Sequence, residues 1–307
     1  NQVLKMIEDN EGYIWILTKT GINKFNPYEE TFKSYQFPPA FNTSEYITDI
    51  VKDHNDNIWV SRSDGLFFLD QKTNILNHTP LDRAFFLITN LGIDSQNNLW
   101  IGTEDPYIRL LNVDTRSLVK LDLPMLNGEQ FKGVAVDFVE DSHGTMWTIM
   151  HPNRGAGNYS TIFYFKKGDK EIQTYNTFIE SLDKLGMDRA LSSVTDIFTN
   201  GNDLWLISNL FGLFRVDLSD YQLYFYSDLS KDYYSGALKY RCLYTDSNGL
   251  IWIGTNGHGV YIVPNEHRPF NLVNKEIYPE LKVESIRSFH EDSKYYWVGG
   301  YYGLAQI

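Results

Sequence analysis

Residues 246–263 read DSNGLIWIGTNGHGVYIV, and residues 9–26 read DNEGYIWILTKTGINKFN. Each stretch begins with an aspartate, reaches a tryptophan six residues later, and passes through a glycine to a second apolar run. A similar arrangement surrounds all seven tryptophans, which stand at positions 15, 59, 100, 147, 205, 252 and 297. The intervals between them are 44, 41, 47, 58, 47 and 45 residues. The chain is therefore built from seven copies of one short repeat.

The local pattern of each copy predicts four strands. Alternating apolar segments such as VLKMI and ITDIV predict a first strand of period two. The Asp-x-x-Gly or Asn-rich segment predicts a turn, because Asp caps such turns and Gly or Asn accepts positive φ. The Trp segment predicts a second strand and the Gly-Leu run a third, while FKSYQF, SLVKLDL and QLYFYS are typical of a fourth, outer strand. Four antiparallel strands form one propeller blade.

We therefore predict an all-β fold, a seven-bladed β-propeller of four-stranded antiparallel blades with an incomplete last blade. The alternatives are an open all-β array or two sandwiches, which seven regular copies without a linker disfavour. We expect one domain over residues 1–307, a fragment of a longer chain, with the tryptophans packed between neighbouring blades. The expected blades are residues 1–45, 46–86, 87–132, 133–190, 191–238, 239–284 and 285–307. Two irregularities are a long insertion around His151–Tyr159 and a polar stretch, Glu180–Arg189.

The composition restricts the classes of function. Acidic residues outnumber basic ones by 39 to 27, which gives a net charge of −12. Nucleic-acid affinity depends on basic side chains that neutralise phosphates, so we exclude nucleic acid as a partner. No apolar run reaches the roughly 18 residues that span a bilayer, and we expect no membrane contact by this chain. The single cysteine, Cys242, excludes an internal disulfide and a zinc site with several cysteines, and we expect it to pack as a small apolar group.

Signals for catalysis, metals and cofactors are weak. Asp53-x-Asn55-x-Asn57 resembles the start of a calcium loop, but it lies at the repeated turn and no bidentate Glu follows. The glycines at 254, 257 and 259 lack the helix that a nucleotide loop requires. We therefore predict no metal, no cofactor and no catalytic residue. A propeller lyase or glycan-cleaving enzyme remains the alternative, with His151 and His258 as its candidate residues.

Alignment of the inner strands on the turn defines two sets of equivalent positions. Four residues before the turn stand Lys5, Asp49, Asn90, Asp137, Asp196, Cys242 and Ser288. One residue earlier stand Leu4, Thr48, Thr89, Val136, Thr195, Arg241 and Arg287. We expect the first set to project a mostly polar ring into an axial channel. The sequence leaves open whether this ring only lines water or holds carboxylates suited to acid–base chemistry.

The loops after the second strand and before the first are the expected ligand face. A sugar site needs planar aromatics and fixed polar groups. The predicted ligand-binding residues are Tyr46, Arg62, Glu104, Tyr107, His151, Arg154, Phe211, Arg241, His258, Arg287, Tyr301 and Tyr302. Exposed aromatics in such loops equally suit a protein-docking patch, so a protein-interaction scaffold is a further alternative. Arg241 and Arg287 either form a site for an anionic sugar or pair internally with Asp246, Glu284 and Glu291.

The repeat resembles the two-component regulator propeller repeat, most clearly at Asp246–Val263 and Asp9–Asn26. The copies around Pro106, in the insertion and at Asn200 depart from the pattern. The resemblance implies an extracytoplasmic, periplasmic sensor region of a Bacteroides-type hybrid histidine kinase that responds to oligosaccharides. It also implies a second propeller or a β-sandwich in the same chain as partner, and leaves a homodimer open. The family motif is structural, so it implies no catalytic or binding residue.

Overall fold

Seven antiparallel sheets of three or four strands follow one another along the described part of the chain in a propeller arrangement, as seen in a computed structural model. In the part of the chain that is described, six sheets have four strands and the last has three, which confirms the predicted fold class and the incomplete last blade. The structure describes all residues except 1, 42–44, 71–72, 82–86, 127, 154–159, 185, 188–189, 210, 227–239, 246–249, 258, 264–270, 274–280, 282, 293 and 302.

The contacts divide the chain into two compact units, and the prediction of a single domain over 1–307 stays a prediction. The unit Ile7–Tyr175 contains most of the strands of the first four blades. The strands of blades one and two are β1 Val3–Glu8, β2 Ile14–Thr18, β3 Gly21–Asn26, β4 Thr31–Tyr35, β5 Ile47–Lys52, β6 Ile58–Arg62, β7 Gly65–Asp70 and β8 Ile75–Thr79. Those of blades three and four, with the hairpin β13–β14 between them, are β9 Ile88–Ile93, β10 Asn98–Thr103, β11 Tyr107–Asn112, β12 Leu118–Asp122, β13 Met125–Leu126, β14 Glu129–Gln130, β15 Gly133–Glu140, β16 Thr145–Pro152, β17 Thr161–Lys166 and β18 Gln173–Thr174.

The second unit comprises Asn1–Met6 and Asn176–Ile307, and contains blades five to seven. Its strands, besides the start of β1, are β19 Val194–Asn200, β20 Asp203–Ser208, β21 Gly212–Asp217, β22 Leu223–Tyr226, β23 Tyr240–Thr245, β24 Ile251–Thr255, β25 Val260–Val263, β26 Asn271–Val273, β27 Glu284–Glu291, β28 Tyr296–Tyr301 and β29 Gly303–Gln306. The described residues also form two short 3₁₀ helices, Pro39–Phe41 and Leu191–Ser193. The helices in the described part of the chain are too short or too polar to span a bilayer.

One helix, α1 at Asn176–Lys184, was not anticipated from the sequence. It overlaps the polar stretch Glu180–Arg189, which in the sequence stands out only as an irregularity before blade five. Phe178 and Leu182 lie four residues apart, so they share one face of the helix, and both are buried. Phe178, Ile179 and Leu182 are the apolar residues of this nine-residue segment, a weak periodic signal, which explains why the sequence does not predict the helix.

In five of the described turns, the repeated aspartate accepts hydrogen bonds from the turn and from the indole of the tryptophan that follows it. In blade two, one carboxylate oxygen of Asp53 accepts the backbone N–H groups of Asn55 and Asn57, both at 2.9 Å. The other oxygen accepts the indole N–H of Trp59 at 2.8 Å. The segment that resembles a calcium loop is therefore a hydrogen-bonded turn, and the residue Asp53 is 1% exposed.

The same indole–carboxylate bond recurs in most blades. It measures 2.9 Å at Trp15, 2.9 Å at Trp100, 2.8 Å at Trp147 and 2.6 Å at Trp297. Blade five differs, because its shortened turn carries Asn200 in place of the aspartate. The indole nitrogen of Trp205 is buried and has no hydrogen-bond partner among the described residues.

The tryptophans pack against the blade that follows. Trp59 of blade two lies in one buried cluster with Ile88, Leu91 and Leu99 of blade three. Trp252 of blade six lies in a cluster with Ile286 and other apolar residues of blade seven. Trp100 and Trp205 pack on the following blade in the same way. The prediction that the tryptophans form the core between blades is confirmed for these four.

Candidate functional site

Each inner strand from blade two onward contains a β-bulge near its start. The register of β5 shifts between Ile47 and Asp49, that of β23 between Tyr240 and Cys242, and that of β27 between Ile286 and Ser288. The bulge residues of the last two strands are Arg241 and Arg287. A bulge leaves one residue outside the regular ladder and re-aims its side chain, so these two arginines occupy equivalent special positions.

The residue after the bulge does not behave as the sequence suggested. Asp49 is 2% exposed, and its carboxylate accepts the backbone N–H of Ile50 at 2.7 Å and that of Leu91, in the next blade, at 2.9 Å. Asp196 binds Ile197 and Leu243 in the same way, at 2.9 and 2.7 Å. The expectation that this whole set projects into a channel is therefore wrong, because these carboxylates join the inner strands of adjacent blades.

Cys242 belongs to the same set and lies in the core. It is 5% exposed and packs with Trp252, Ile286 and Val298. Burial, with the nearby charge of Asp196, raises the pKa of the Cys242 thiol well above its usual value. The predicted role as a small apolar group is confirmed.

We expect Cys242 to resist alkylation in the folded protein. Attack requires the thiolate, and both burial and the raised pKa of Cys242 suppress it. At pH 8, modification by a maleimide should be on the order of 100-fold slower in buffer than in guanidinium chloride, because it requires opening of the fold. Mass spectrometry of timed samples measures both rates, and equal rates would contradict the burial of this thiol.

The bulge residues of blades two and five are short threonines whose hydroxyl groups have hydrogen-bond partners. The Thr48 hydroxyl lies 2.8 Å from the Ser61 hydroxyl. The Thr195 hydroxyl donates to the carbonyl of Tyr240, at 3.3 Å. Arg241 and Arg287 place far longer, charged groups at the corresponding positions of blades six and seven.

The two arginines form a positive cluster with Tyr301, at the end of β28. The Arg287 guanidinium lies 5.2 Å from the centre of the Tyr301 ring, and its Nη2 atom lies 3.4 Å from the Tyr301 hydroxyl. Burial and the neighbouring charge of Arg287 lower the pKa of Arg241. The Nε atoms of both arginines are buried and have no hydrogen-bond partner among the described residues. We call Arg241, Arg287 and Tyr301 the arginine cluster.

Internal ion pairing, the alternative for these arginines, finds no support in the described part of the chain. No described carboxylate forms an ion pair with Arg241 or Arg287, whereas Arg62, Arg109 and Arg215 each have one. Asp246 and the side chain of Glu284 lie outside the described residues.

The candidates in the unit Ile7–Tyr175 are not brought into one cluster. Tyr46 is 74% exposed just before β5, and Glu104 is exposed after β10. Tyr107 is half-buried at the start of β11, with Lys120 5.6 Å from its ring centre. Arg62 is 3% exposed, and its guanidinium already binds Asp64 and the Phe41 carbonyl, so it holds a loop.

Of the two histidines proposed for the alternative catalytic function, His151 has one described side-chain hydrogen bond. Nδ1 of His151, in β16, lies 2.9 Å from the Ser160 hydroxyl. Of the other predicted residues, Phe211 is half-buried and its backbone N–H donates to Ser208 at 3.3 Å. Arg154, His258 and Tyr302 lie outside the described residues. No group of three or more His, Cys, Asp or Glu side chains suited to a metal ion occurs in the described part of the chain.

A groove on blade one was missed by the sequence analysis. It has a volume of about 480 Å³ and is lined by residues that include Glu11, Tyr13, Lys24, Phe32, Lys33 and Asn74. Its cations are already partnered, since Lys24 pairs with Asp9 at 2.8 Å and Lys33 donates to Asn74 at 2.7 Å. The sequence of blade one does not predict this groove, because one of its lining residues, Asn74, comes from blade two.

Comparison with known proteins agrees with the repeat. Residues 235–257 match the profile of the two component regulator propeller family, which confirms the resemblance at blade six. The extracellular domain of a putative hybrid two-component system from B. thetaiotaomicron is similar over 99% of this chain and 38% of its own, with 16% identity and a TM-score of 0.72. The chain thus spans well under half of that domain. No curated protein matches.

A lyase and a bacterial surface component are also similar in fold. Virginiamycin B lyase from Staphylococcus aureus is similar over 99% of this chain and 94% of its own, with 10% identity and a TM-score of 0.75. PorZ of Porphyromonas gingivalis, a component of the type-IX secretion system, covers 98% of this chain at 13% identity and a TM-score of 0.67. Identities this low show a common fold and leave function to be argued from the residues.

Proposed function

We propose that this chain is a ligand-sensing propeller of an extracytoplasmic, periplasmic sensor in a hybrid two-component system, and that its ligand is an oligosaccharide. The match of residues 235–257 to the regulator propeller family and the similarity to an extracellular sensor domain support the sensor role. In this proposal residues 1–307 form one propeller of a longer chain, which contacts a second propeller or a β-sandwich. Any kinase activity belongs outside this stretch.

The arginine cluster carries the ligand part of the proposal. Tyr301 is 37% exposed, so its ring offers an apolar face to solvent beside fixed hydrogen-bond donors. Sugars present apolar ring faces and hydroxyl groups together, and aromatic rings with convergent polar groups bind both. Among the predicted ligand-binding residues, Arg287 and Tyr301 contact each other, and Arg241 lies at the equivalent bulge of the neighbouring inner strand.

A binding experiment with this chain tests the proposal. We expect titration calorimetry with a panel of neutral and acidic oligosaccharides to find at least one ligand. Tyr301→Ala should weaken that ligand about 2- to 10-fold, the usual range for one aromatic contact. Tyr28→Ala, which removes a tyrosine that is 80% exposed and outside the candidate set, is the matched control and should leave affinity unchanged. Absence of binding to every member of the panel would contradict the proposal.

A lyase is the second candidate, since a lyase propeller is similar over nearly its whole length and a catalytically inactive histidine variant of that enzyme has been crystallised with quinupristin. The same incubations, extended to quinupristin, separate the two functions. A sensor leaves every compound intact by mass spectrometry. Time-dependent product that disappears in His151→Ala or His258→Ala would establish the enzyme instead.

A further inference from the structure

We propose that the arginine cluster binds a compact oxyanion, so that the ligand is an acidic sugar that carries a carboxylate or a sulfate group. This inference rests on the proposed function and narrows its ligand class. It begins from the two bulges, which set Arg241 on β23 and Arg287 on β27 at equivalent positions of neighbouring strands. The two charges are close enough for Arg287 to lower the pKa of Arg241.

The charge balance of the cluster is unusual for this protein. The chain as a whole carries −12, yet no described carboxylate pairs with either arginine. Two like charges at short range repel each other, and in a partly buried position this repulsion is screened less than in water. A bound anion between the two guanidinium groups would offset this repulsion.

The hydrogen-bond inventory gives the same result. Each guanidinium has five N–H donors and no acceptor. The described contacts of the pair are the long bond from Arg287 to Tyr301, at 3.4 Å, and the stack on its ring, while both Nε groups are buried without a partner. A carboxylate or sulfate supplies several acceptor oxygens at once and binds arginine in a bidentate manner.

The size of the cluster limits the anion. Two arginines match one oxyanion, whereas a nucleic acid needs an extended row of cations. Tyr301 is partly exposed and its ring contacts the Arg287 guanidinium, so a sugar ring that stacks on the tyrosine can direct its acidic substituent towards the guanidinium groups. This arrangement favours a uronic or sulfated sugar over a neutral one.

Paired ligands test the inference directly. We expect a uronic-acid disaccharide to bind about 10- to 100-fold more tightly than its carboxyl-reduced form, and a sulfated disaccharide more tightly than its desulfated form, because bonds to charged groups are the strong ones. Arg241→Gln/Arg287→Gln should abolish both preferences. Lys166→Gln/Lys167→Gln, which removes the same charge from two exposed residues elsewhere, should preserve them.

The outcomes separate the inference from the proposed function. Equal binding of acidic and neutral forms, or an acidic preference that survives in the double arginine variant, would overturn the inference while sugar binding still supports the sensor. If no sugar binds, inorganic sulfate decides. At equal ionic strength, sulfate should raise the melting temperature of the wild type more than that of the arginine variant, and an equal rise in both would overturn the anion site.

Folding of the variant is controlled in the same melts. Without a ligand, Arg241→Gln/Arg287→Gln should melt at or above the wild-type temperature, because it removes a repulsion and no described ion pair. A sharp drop would show that the arginines stabilise the fold, and would overturn the inference. Arg241→Lys/Arg287→Lys keeps the charges without the planar fork, and should retain part of the acidic preference.

Discussion

Replacement of Trp59 by alanine is expected to lower the free energy of unfolding by about 3–5 kcal/mol, the usual cost of truncating a core aromatic residue. Trp59 is fully buried and packs on blade three through Ile88, Leu91 and Leu99. The change also removes the indole N–H that Asp53 accepts, and this leaves a buried carboxylate with one donor fewer. Urea denaturation followed by far-UV circular dichroism measures the loss.

Two controls separate packing from the hydrogen bond. Trp59→Phe removes the bond but keeps most of the volume, whereas Trp205→Phe removes an indole N–H that has no partner among the described residues. We expect the first to cost about 1.5–3 kcal/mol more than the second, since hydrogen bonds to charged groups contribute that amount. Trp59→Ala with a cost under about 1 kcal/mol would contradict the tryptophan core.

Asp49→Ala should be the most damaging change of a charged residue, with a loss of about 2–5 kcal/mol. The carboxylate accepts one N–H from its own strand and one from Leu91 of the next blade, and both donors become unsatisfied in a buried place. Each unsatisfied donor costs about 1–3 kcal/mol. The same denaturation experiment measures it.

Two matched variants test whether the loss of stability comes from the carboxylate of Asp49. Asp49→Asn keeps one acceptor oxygen and turns an amide group towards the other N–H, so its loss should be smaller than that of alanine. Asp122→Ala, at an exposed position of β12, should stay within about 0.5 kcal/mol of the wild type. If Asp49→Ala behaved like Asp122→Ala, the carboxylate would not join the blades.

The fold was predictable because the same pattern of an Asp or Asn turn followed by a Trp-containing strand recurs in every blade. The aspartate and the tryptophan of a repeat lie within ten residues of each other. The contact between Asp53 and Trp59 is therefore local in sequence and can be inferred from the repeat itself. The helix α1 was not predictable in the same way, because its nine residues contain only three strongly apolar ones, Phe178, Ile179 and Leu182, too few for a clear helical period.

The candidate site was only partly predictable. Alignment of repeats placed Arg241 and Arg287 at equivalent positions, and the structure sets each of them at a β-bulge of its inner strand. The direction of Asp49 was misjudged because a bulge changes which face a side chain reaches, and composition does not reveal a register shift. Whether a polar inner residue meets water or the neighbouring strand depends on that shift.

The contact between Met6 and Ser288 has a consequence for biosynthesis. The Met6 amide donates to the Ser288 hydroxyl at 2.8 Å, across 282 positions of sequence. Chains grow at about 5–20 residues per second, so Met6 is made roughly 14–56 seconds before this partner exists. The strand β1 can pair with β2 early, but its other side meets Ser288 late and is open in that interval to any factor that binds extended nascent segments.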